Sequence, residues 1–156
     1  MCVSVAFQRQ LWARFIRKRA VTLPVEGIRI ITLAEQYPGP FATLLMSDLG
    51  ANVTIVERAS GDPARQFPDF HASLNRNKKS VVLELKTELG KEALRRMIKD
   101  TDVLSEGYRL GTMARLGFGY AAVSARYPCV VYVSISGSGQ AGPSRDRPAH
   151  DLSYRP

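Results

Sequence analysis

The sequence is poor in cysteine, with only Cys2 and Cys129 among 156 residues. Two cysteines cannot build the disulfide framework of a small secreted domain, so we predict a reducing compartment and a cytoplasmic location. Long apolar runs are also missing, because Gly, Pro or a charged residue interrupts every stretch before the roughly 18 residues that a membrane span needs. These shortages exclude a disulfide-rich secreted domain and predict a protein that does not associate with membranes.

Acidic residues are absent from the first 25 positions, which contain five basic residues. The whole chain has a net charge of +8, but residues 26–156 hold 17 basic and 14 acidic residues and are only mildly basic, so we predict no nucleic-acid partner. An Arg-rich, acid-free, weakly amphipathic start is typical of a mitochondrial presequence, and the mitochondrial matrix is then the alternative location. The other interpretation is an upstream extension without a role in the fold. We therefore divide the chain into a basic leader or extension, residues 1–26, and a folded region, residues 27–156.

The folded region alternates between β-branched runs and helical periodicity, which indicates β-α-β units and an α/β fold with a parallel sheet covered on both faces. The pattern predicts strands over 28–33, 52–57, 80–85, 101–104 and 129–135, helices over 41–49 and 88–100, and two short helical pieces between 107 and 126. We expect the strongly apolar run 129–135 at the centre of the sheet. The polar segment 58–79 is expected to be a long functional or mobile connection.

Helical periodicity also predicts which side chains face the core. In the first helix these are Phe41, Leu44, Leu45 and Leu49, and in the second they are Leu89, Leu94, Met97 and Ile98. Thr87 is the expected N-cap of the second helix, and Gly50 is the expected stop after the first.

A phosphate-binding glycine loop is missing where a dinucleotide-binding fold needs one. That fold requires G-x-G-x-x-G directly after the first strand, whereas residues 34–40 contain a single glycine between two prolines. Gly137, Gly139 and Gly142 match the spacing, but no helical pattern follows them. The sequence therefore argues against NAD or FAD, although Glu57 ends the second strand as an acid does in that fold.

Basic residues gather around the ends of the predicted strands, at Arg58, Arg65, Arg76, Lys78 and Lys79. Guanidinium and ammonium groups at the carboxyl ends of parallel strands suit a phosphate-bearing ligand. The same residues also suit a solvated charged loop. Composition alone leaves both interpretations open.

Taken together, a series of short motifs resembles the family III coenzyme A (CoA) transferases in order and spacing, over nearly all of residues 27–154. The motifs are Gly27–Ile30, Gly39–Ala42, Asp48–Val53, Val56–Arg58, Gly61–Pro63, Asn75–Ser80, Leu85–Thr87, Glu106–Arg109, Gly111–Met113, Arg115–Gly117, Ser134–Gly137 and Gly139–Pro143. The resemblance implies a Rossmann-like parallel sheet with flanking helices, in an enzyme whose two subunits interlock as a homodimer. It implies acyl-CoA and carboxylic acid substrates, with no permanently bound cofactor and no metal.

The resemblance also assigns binding residues. Arg58 and the run Asn77, Lys78 and Lys79 resemble contacts to the nucleotide phosphates, while Tyr108, Arg109 and Arg115 resemble walls of the CoA site. Two departures stand out from the family pattern. Leu110 replaces the usual proline, and residues 35–38 form an unusually acidic stretch near the expected thioester end of CoA.

The segment Ala149–Tyr154 is similar to the racemase branch of the family, in which the histidine exchanges the α-proton of an acyl-CoA thioester. This implies His150 as the catalytic acid/base, a role that suits the pKa of an imidazole, with Asp151 beside it to orient the ring. The resemblance implies that the nucleophilic aspartate of the transferases corresponds to a position beyond the end of this sequence. We therefore expect an N-terminal fragment whose sheet is incomplete at its C-terminus and which is inactive alone. The predicted function is CoA transfer between carboxylic acids; the alternatives are a 2-methylacyl-CoA racemase and a non-catalytic CoA-binding or dimerising module.

Overall fold

Residues 23–147 are described by the structure, a computed structural model. Over this range the chain alternates between strands and helices. The strands are β1 (Arg29–Leu33), β2 (Asn52–Glu57), β3 (Lys79–Val82), β4 (Val103–Glu106) and β5 (Val131–Ser134). The helices are α1 (Pro38–Asp48), a 3-10 helix (Pro63–Gln66), α2 (Pro68–Asn75), α3 (Glu88–Lys99), α4 (Thr112–Leu116) and α5 (Tyr120–Arg126).

The five strands form one parallel sheet in the order β3-β2-β1-β4-β5. Ile30 in β1 lies opposite Val53 of β2 on one side and Val103 of β4 on the other. From β1 the chain moves outward through β2 and β3, then returns to the other side of β1 for β4 and β5. This confirms the predicted α/β class with a parallel sheet and flanking helices.

The two faces of β1 contact different apolar clusters, which explains why its residues are continuously apolar. Ile31 and Leu33 belong to the main core together with Leu94 and Ile98 of α3, both of which have no exposed surface. Ile30 belongs to a smaller cluster on the opposite face, with Ala51, Val53 and Val25. Both faces of the central strand are therefore buried.

The predicted inward face of α3 is partly wrong. Leu94 and Ile98 are buried as expected, but Leu89 is 87% exposed. Five residues correspond to about 140° around a helix, so Leu89 lies far from the stripe that contains Leu94. The predicted N-cap is confirmed, since the Thr87 hydroxyl accepts a hydrogen bond of 3.1 Å from the backbone N–H of Gly90.

The predicted inward face of α1 is also partly wrong. Leu44 is buried, but Phe41, Leu45 and Leu49 are 40–48% exposed. The helix begins three residues earlier than predicted, and its other buried residues are Gly39, Pro40, Thr43 and Ser47. These small side chains allow a close approach of α1 to the sheet, which the prediction from hydrophobicity missed.

Segment 58–79, predicted as one long connection, contains the 3-10 helix and α2. Each of these helices has a proline at its start, and the Asp62 carboxylate caps the first by accepting a hydrogen bond of 2.8 Å from the backbone N–H of Ala64. Proline at the first helical position and Asp as N-cap are ordinary helix-start signals. The helices are short and carry few apolar residues, which hid them from a search for periodicity.

Strand β5 is the outermost strand of the sheet that residues 23–147 form, so the expected central position of 129–135 is not observed within this range. Within residues 23–147 it pairs only with β4. Its valines are exposed, Val131 by 58% and Val133 by 38%. Continuous apolar character therefore did not predict burial here.

The predicted boundary between leader and folded region, at residue 26, lies close to the start of the described range. Val25 packs on the Ile30 cluster, and its backbone N–H donates to the carbonyl of Leu49 over 3.2 Å. Residues 1–22, which carry the five basic residues, lie outside the described range, so the leader at 1–26 stays a prediction. No helix within 23–147 has the length and apolar character to cross a membrane.

Candidate functional site

A cleft of about 570 Å³ opens at the carboxyl ends of β1, β4 and β5. Its walls are the segments that follow these strands, residues 34–39, 107–110 and 135–140, with Arg115 and residues 145–147 at the side. Strands β1 and β4 are neighbours from which the chain leaves in opposite directions along the sheet. In open α/β sheets this switch point is where ligands bind, so the topology itself selects this cleft.

Two glycines allow the segments after β1 and β4 to approach each other. A Cβ atom on Gly39 would lie 2.2 Å from the Cβ of Ala34, which real structures do not allow, and one on Gly107 would lie 3.3 Å from the same atom. Ala34 therefore packs against both the first turn of α1 and the segment after β4. The floor of the cleft depends on this absence of side chains.

The lining of the cleft has an excess of positive charge. It contains Arg109, Arg115, Arg145 and Arg147, and its acidic residues are Glu35 and Asp146. Arg115 is held by a hydrogen bond of 2.9 Å from its guanidinium to the hydroxyl of Thr112. Clustered guanidinium groups of this kind bind phosphate and carboxylate oxygens with paired N–H donors.

The predicted residues Tyr108, Arg109 and Arg115 all line this cleft. Tyr108 is held through its backbone, whose N–H donates to the buried Glu106 carboxylate over 2.9 Å. Burial raises the pKa of the Tyr108 phenol above its usual value, and the negative charge of Glu35 adds to this effect. Tyr108 is therefore a neutral wall residue at physiological pH.

Arg58 follows β2 and lies next to the cleft, bound to Glu35. Its Nε donates to Oε1 of Glu35 over 2.9 Å, and Nη2 donates to Oε2. This contact raises the pKa of the Arg58 guanidinium further above its already high value. The sequence shows that segment 35–38 is acidic, but the pairing of Glu35 with Arg58 is visible only in the folded structure.

Strand β3 begins at Lys79, and Asn77 and Lys78 directly precede it. Their backbone therefore lies toward the amino-terminal ends of the strands, whereas the cleft lies at the carboxyl ends. The Asn77 amide donates to Asp48 at the end of α1, over 3.3 Å, and Lys79 is exposed. The structure thus separates the backbone of this run from Arg58, Tyr108, Arg109 and Arg115.

Lys78 reaches back along α1 toward its first turn. Its ammonium donates to the carbonyl of Pro40 over 2.7 Å, and to Thr43 Oγ1 and Asn75 Oδ1 over 3.0 Å each. Burial lowers the pKa of this amine to about 8. Lys78 therefore connects α1 to α2 one residue beyond the cleft-lining Gly39, with its three donors occupied.

Glu57, the acid at the end of β2, is not available to bind the ribose of a dinucleotide, which is the role of this acid in the dinucleotide-binding fold. It is 4% exposed and accepts hydrogen bonds from Arg65 Nε over 2.7 Å and Nη2 over 2.6 Å, from the Asp62 backbone N–H over 3.1 Å, and from the Ser80 hydroxyl. Hydrogen bonds from Arg65 hold the pKa of the Glu57 carboxyl at about 2 despite its burial. Arg65 is thus a structural partner of Glu57.

His150 and Asp151, the predicted catalytic pair, lie outside the described residues. Arg145 and Arg147, which the sequence analysis did not single out, join the cleft from the segment after the glycine-rich loop. Their signal was weak, since isolated arginines in a polar loop are ordinary. Among residues 23–147 there is no cluster of three or more His, Cys, Asp or Glu able to hold a metal ion.

Fold and cleft together define a Rossmann-like α/β protein with an arginine-lined crevice at its switch point. A family model described as CoA-transferase family III matches residues 25–155, and the chain belongs to this family. It is 38% identical to a mouse (Mus musculus) succinyl-CoA:glutarate CoA-transferase over an alignment of 137 residues, and the match covers 82% of this chain and 31% of that one. It is 37% identical to an acetyl-CoA:oxalate CoA-transferase of Acetobacter aceti, covering 82% of this chain and 35% of the relative.

Solved structures agree with this assignment. A CaiB/BaiF family protein from Brucella suis superimposes with a TM-score of 0.81 at 31% identity, over 85% of this chain and 38% of that chain. The chain thus spans about a third of the length of the curated relatives it matches.

Proposed function

We propose that this chain supplies the CoA-binding part of an enzyme that transfers CoA between carboxylic acids. The observation that carries the proposal is the arginine-lined cleft at the switch point, where Tyr108, Arg109 and Arg115 meet on the segments after β4. The cleft offers cationic donors for phosphates beside a less polar floor around Ala34 and Gly39. The names of the relatives, which specify succinyl-CoA, glutarate, acetyl-CoA and oxalate, support this class of substrate.

In this proposal the arginines of the cleft, with Arg58 beside it, bind the phosphates of CoA. Paired N–H donors on each guanidinium fix the orientation of a phosphate as well as its position. Tyr108, neutral and half-buried, forms a wall against which the uncharged part of the ligand packs. Lys78, whose donors are occupied, supports the first turn of α1.

Calorimetric titration of the folded protein with CoA tests the binding step. We expect CoA to bind, and Arg115→Gln to weaken binding about tenfold or more, since a charge-assisted hydrogen bond to phosphate is lost. Arg96→Gln is the matched control, because Arg96 is an exposed arginine of α3 paired with Glu92 and is absent from the cleft lining. No heat with CoA from a folded sample, or equal effects of the two variants, would contradict the proposal.

Transfer and racemisation are distinguished by the fate of the α-proton. In the whole enzyme, the transferase proposal expects CoA to move from succinyl-CoA to a second acid, with no deuterium entering the α-position in deuterated water, whereas this chain alone is expected to show no turnover. The racemase alternative, which depends on His150 and Asp151, expects deuterium in a 2-methylacyl-CoA without any acceptor acid, and expects His150→Ala to abolish it. The interlocked dimer, the non-catalytic module and the cytoplasmic or mitochondrial location stay predictions.

A further inference from the structure

The guanidinium of Arg58 already holds an anion in this structure. Glu35 accepts from Nε over 2.9 Å and from Nη2, so a carboxylate occupies one edge of the guanidinium with two parallel hydrogen bonds. Phosphate oxygens use the same paired donors. A phosphate that binds Arg58 in this bidentate way therefore competes with a carboxylate of the protein itself.

The positions of the two residues make Glu35 the nearer one to the ligand. Glu35 lines the cleft, whereas Arg58 is not among the lining residues. The Glu35 side chain is 20% exposed and the Arg58 side chain 49%. Arg58 is therefore held at the rim by a carboxylate that faces the ligand space, and its long exposed side chain is able to turn toward the cleft when released.

We propose that Glu35 is a resident counter-ion of Arg58 that the phosphate of an incoming CoA displaces, so that Glu35 lowers the affinity for phosphate-bearing ligands. This inference rests on the proposed function and names the residue that tunes it. If Glu35 stayed bound instead, a phosphate on the remaining Nη edge of Arg58 would lie beside a carboxylate, and like charges would repel. Glu35 therefore lowers the affinity for phosphate whether it is displaced or stays bound to Arg58. Displacement of Glu35 by the phosphate removes the repulsion.

The expected size of the effect is modest. An ion pair with this exposure contributes little to stability. Breaking the pair between Glu35 and Arg58 therefore lowers the affinity for the ligand by only a small factor. We expect Glu35→Gln to bind CoA about 3- to 10-fold more tightly than the natural chain. Glu35→Asp, which keeps the charge, is expected to restore the natural affinity.

A double-mutant cycle with Arg58 gives a readout that a merely structural role of Glu35 would not produce. The affinity gain of Glu35→Gln is expected to disappear when Arg58→Gln is also present, because the gain acts through that guanidinium. Glu92→Gln is the control, since it removes an acid paired with Arg96 on the exposed side of α3. Calorimetry with CoA measures all six proteins, Glu35→Asp included, and circular dichroism establishes that each is folded.

The outcomes separate this inference from the function on which it rests. If the natural chain binds CoA and Glu35→Gln binds it equally or more weakly, the counter-ion role is wrong and the proposed function stands. If none of the folded proteins binds CoA, the proposed function fails as well.

A second measurement needs no change at Glu35. In the natural chain, the NMR signal of the Arg58 Nε–H, assigned by its loss in Arg58→Lys, is expected to shift on addition of CoA as its partner changes from carboxylate to phosphate. An unchanged signal at saturating CoA would overturn the exchange.

Discussion

Replacing Glu57 by glutamine removes a carboxylate that joins β2 to the 3-10 helix and to β3. The carboxylate is 4% exposed and receives its bonds from Arg65, Asp62 and Ser80. Glutamine has nearly the same volume but turns an N–H group toward donors that need an acceptor. The substitution therefore tests the charge and its hydrogen bonds with little change in packing.

The lowered pKa of Glu57 sets the size of the effect. A carboxyl whose pKa falls from 4.5 to about 2 on folding contributes about 3 kcal/mol to the free energy of unfolding at pH 7. Half of the Arg65 side chain is exposed, and solvent screens part of the interaction, so we expect a loss of about 2 to 3 kcal/mol in Glu57→Gln.

The pH dependence has a definite sign. Because the native pKa is lower than the unfolded one, the contribution is fully present above pH 4.5 and is lost as the pH falls toward 2. The difference between the natural chain and Glu57→Gln is expected to shrink by about 1 kcal/mol between pH 7 and pH 4, and by about 2 kcal/mol by pH 3.

Urea unfolding followed by circular dichroism at pH 7, 4 and 3 measures this difference. Glu92→Gln is the matched control, since Arg96 lowers the pKa of Glu92 but the pair lies on the surface of α3. We expect the control to change stability little at any of these pH values. A Glu57→Gln penalty that stays constant from pH 7 to pH 3 would refute the reasoning.

Further substitutions test the packing and the cleft. Leu94→Ala is expected to cost about 2 to 5 kcal/mol of unfolding free energy, because the side chain is fully buried, whereas Leu89→Ala changes it by about 0.5 kcal/mol or less; similar values in urea titrations would mean that α3 is oriented differently. Thr87→Ala is expected to cost about 1 kcal/mol in the same assay through loss of the N-cap, with Thr87→Ser retaining most of it. Gly39→Ala is expected to lower both the thermal midpoint and the affinity for CoA, since its Cβ would lie 2.2 Å from that of Ala34; a neutral result by calorimetry and thermal unfolding would contradict the close approach of α1.

Much of the fold followed from local patterns. The alternation of β-branched runs with helical periodicity gave the order of strands and helices, and β2 was predicted with its observed bounds, Asn52–Glu57. The N-cap at Thr87 was readable because a hydroxyl side chain before a helical pattern satisfies a backbone N–H that otherwise lacks a partner. Such signals depend on residues close in sequence.

Two of the errors concerned which neighbours an element meets. The apolar run around Val131 is equally suited to a central or an outer strand, and only the pairing decided that β5 is outermost among the strands of residues 23–147. In α1 the most apolar side chains, such as Phe41 and Leu45, are exposed because small residues pack closest to the sheet. Hydrophobicity alone ranks side chains by size and polarity, and it carries no information on how closely two backbones approach.

The sequence by itself determined the class of fold, the family resemblance and the three residues Tyr108, Arg109 and Arg115 that line the cleft, because these are encoded in short motifs of fixed order. Only the tertiary structure decided that Glu35 pairs with Arg58, that the Lys78 ammonium donates to α1 and α2, and that the backbone of Asn77 and Lys79 lies at the other end of the sheet from the cleft. The physical reason is that every strand of a parallel sheet has two ends. Basic residues before a strand and after a strand give the same sequence signal, but they lie at opposite ends of the sheet.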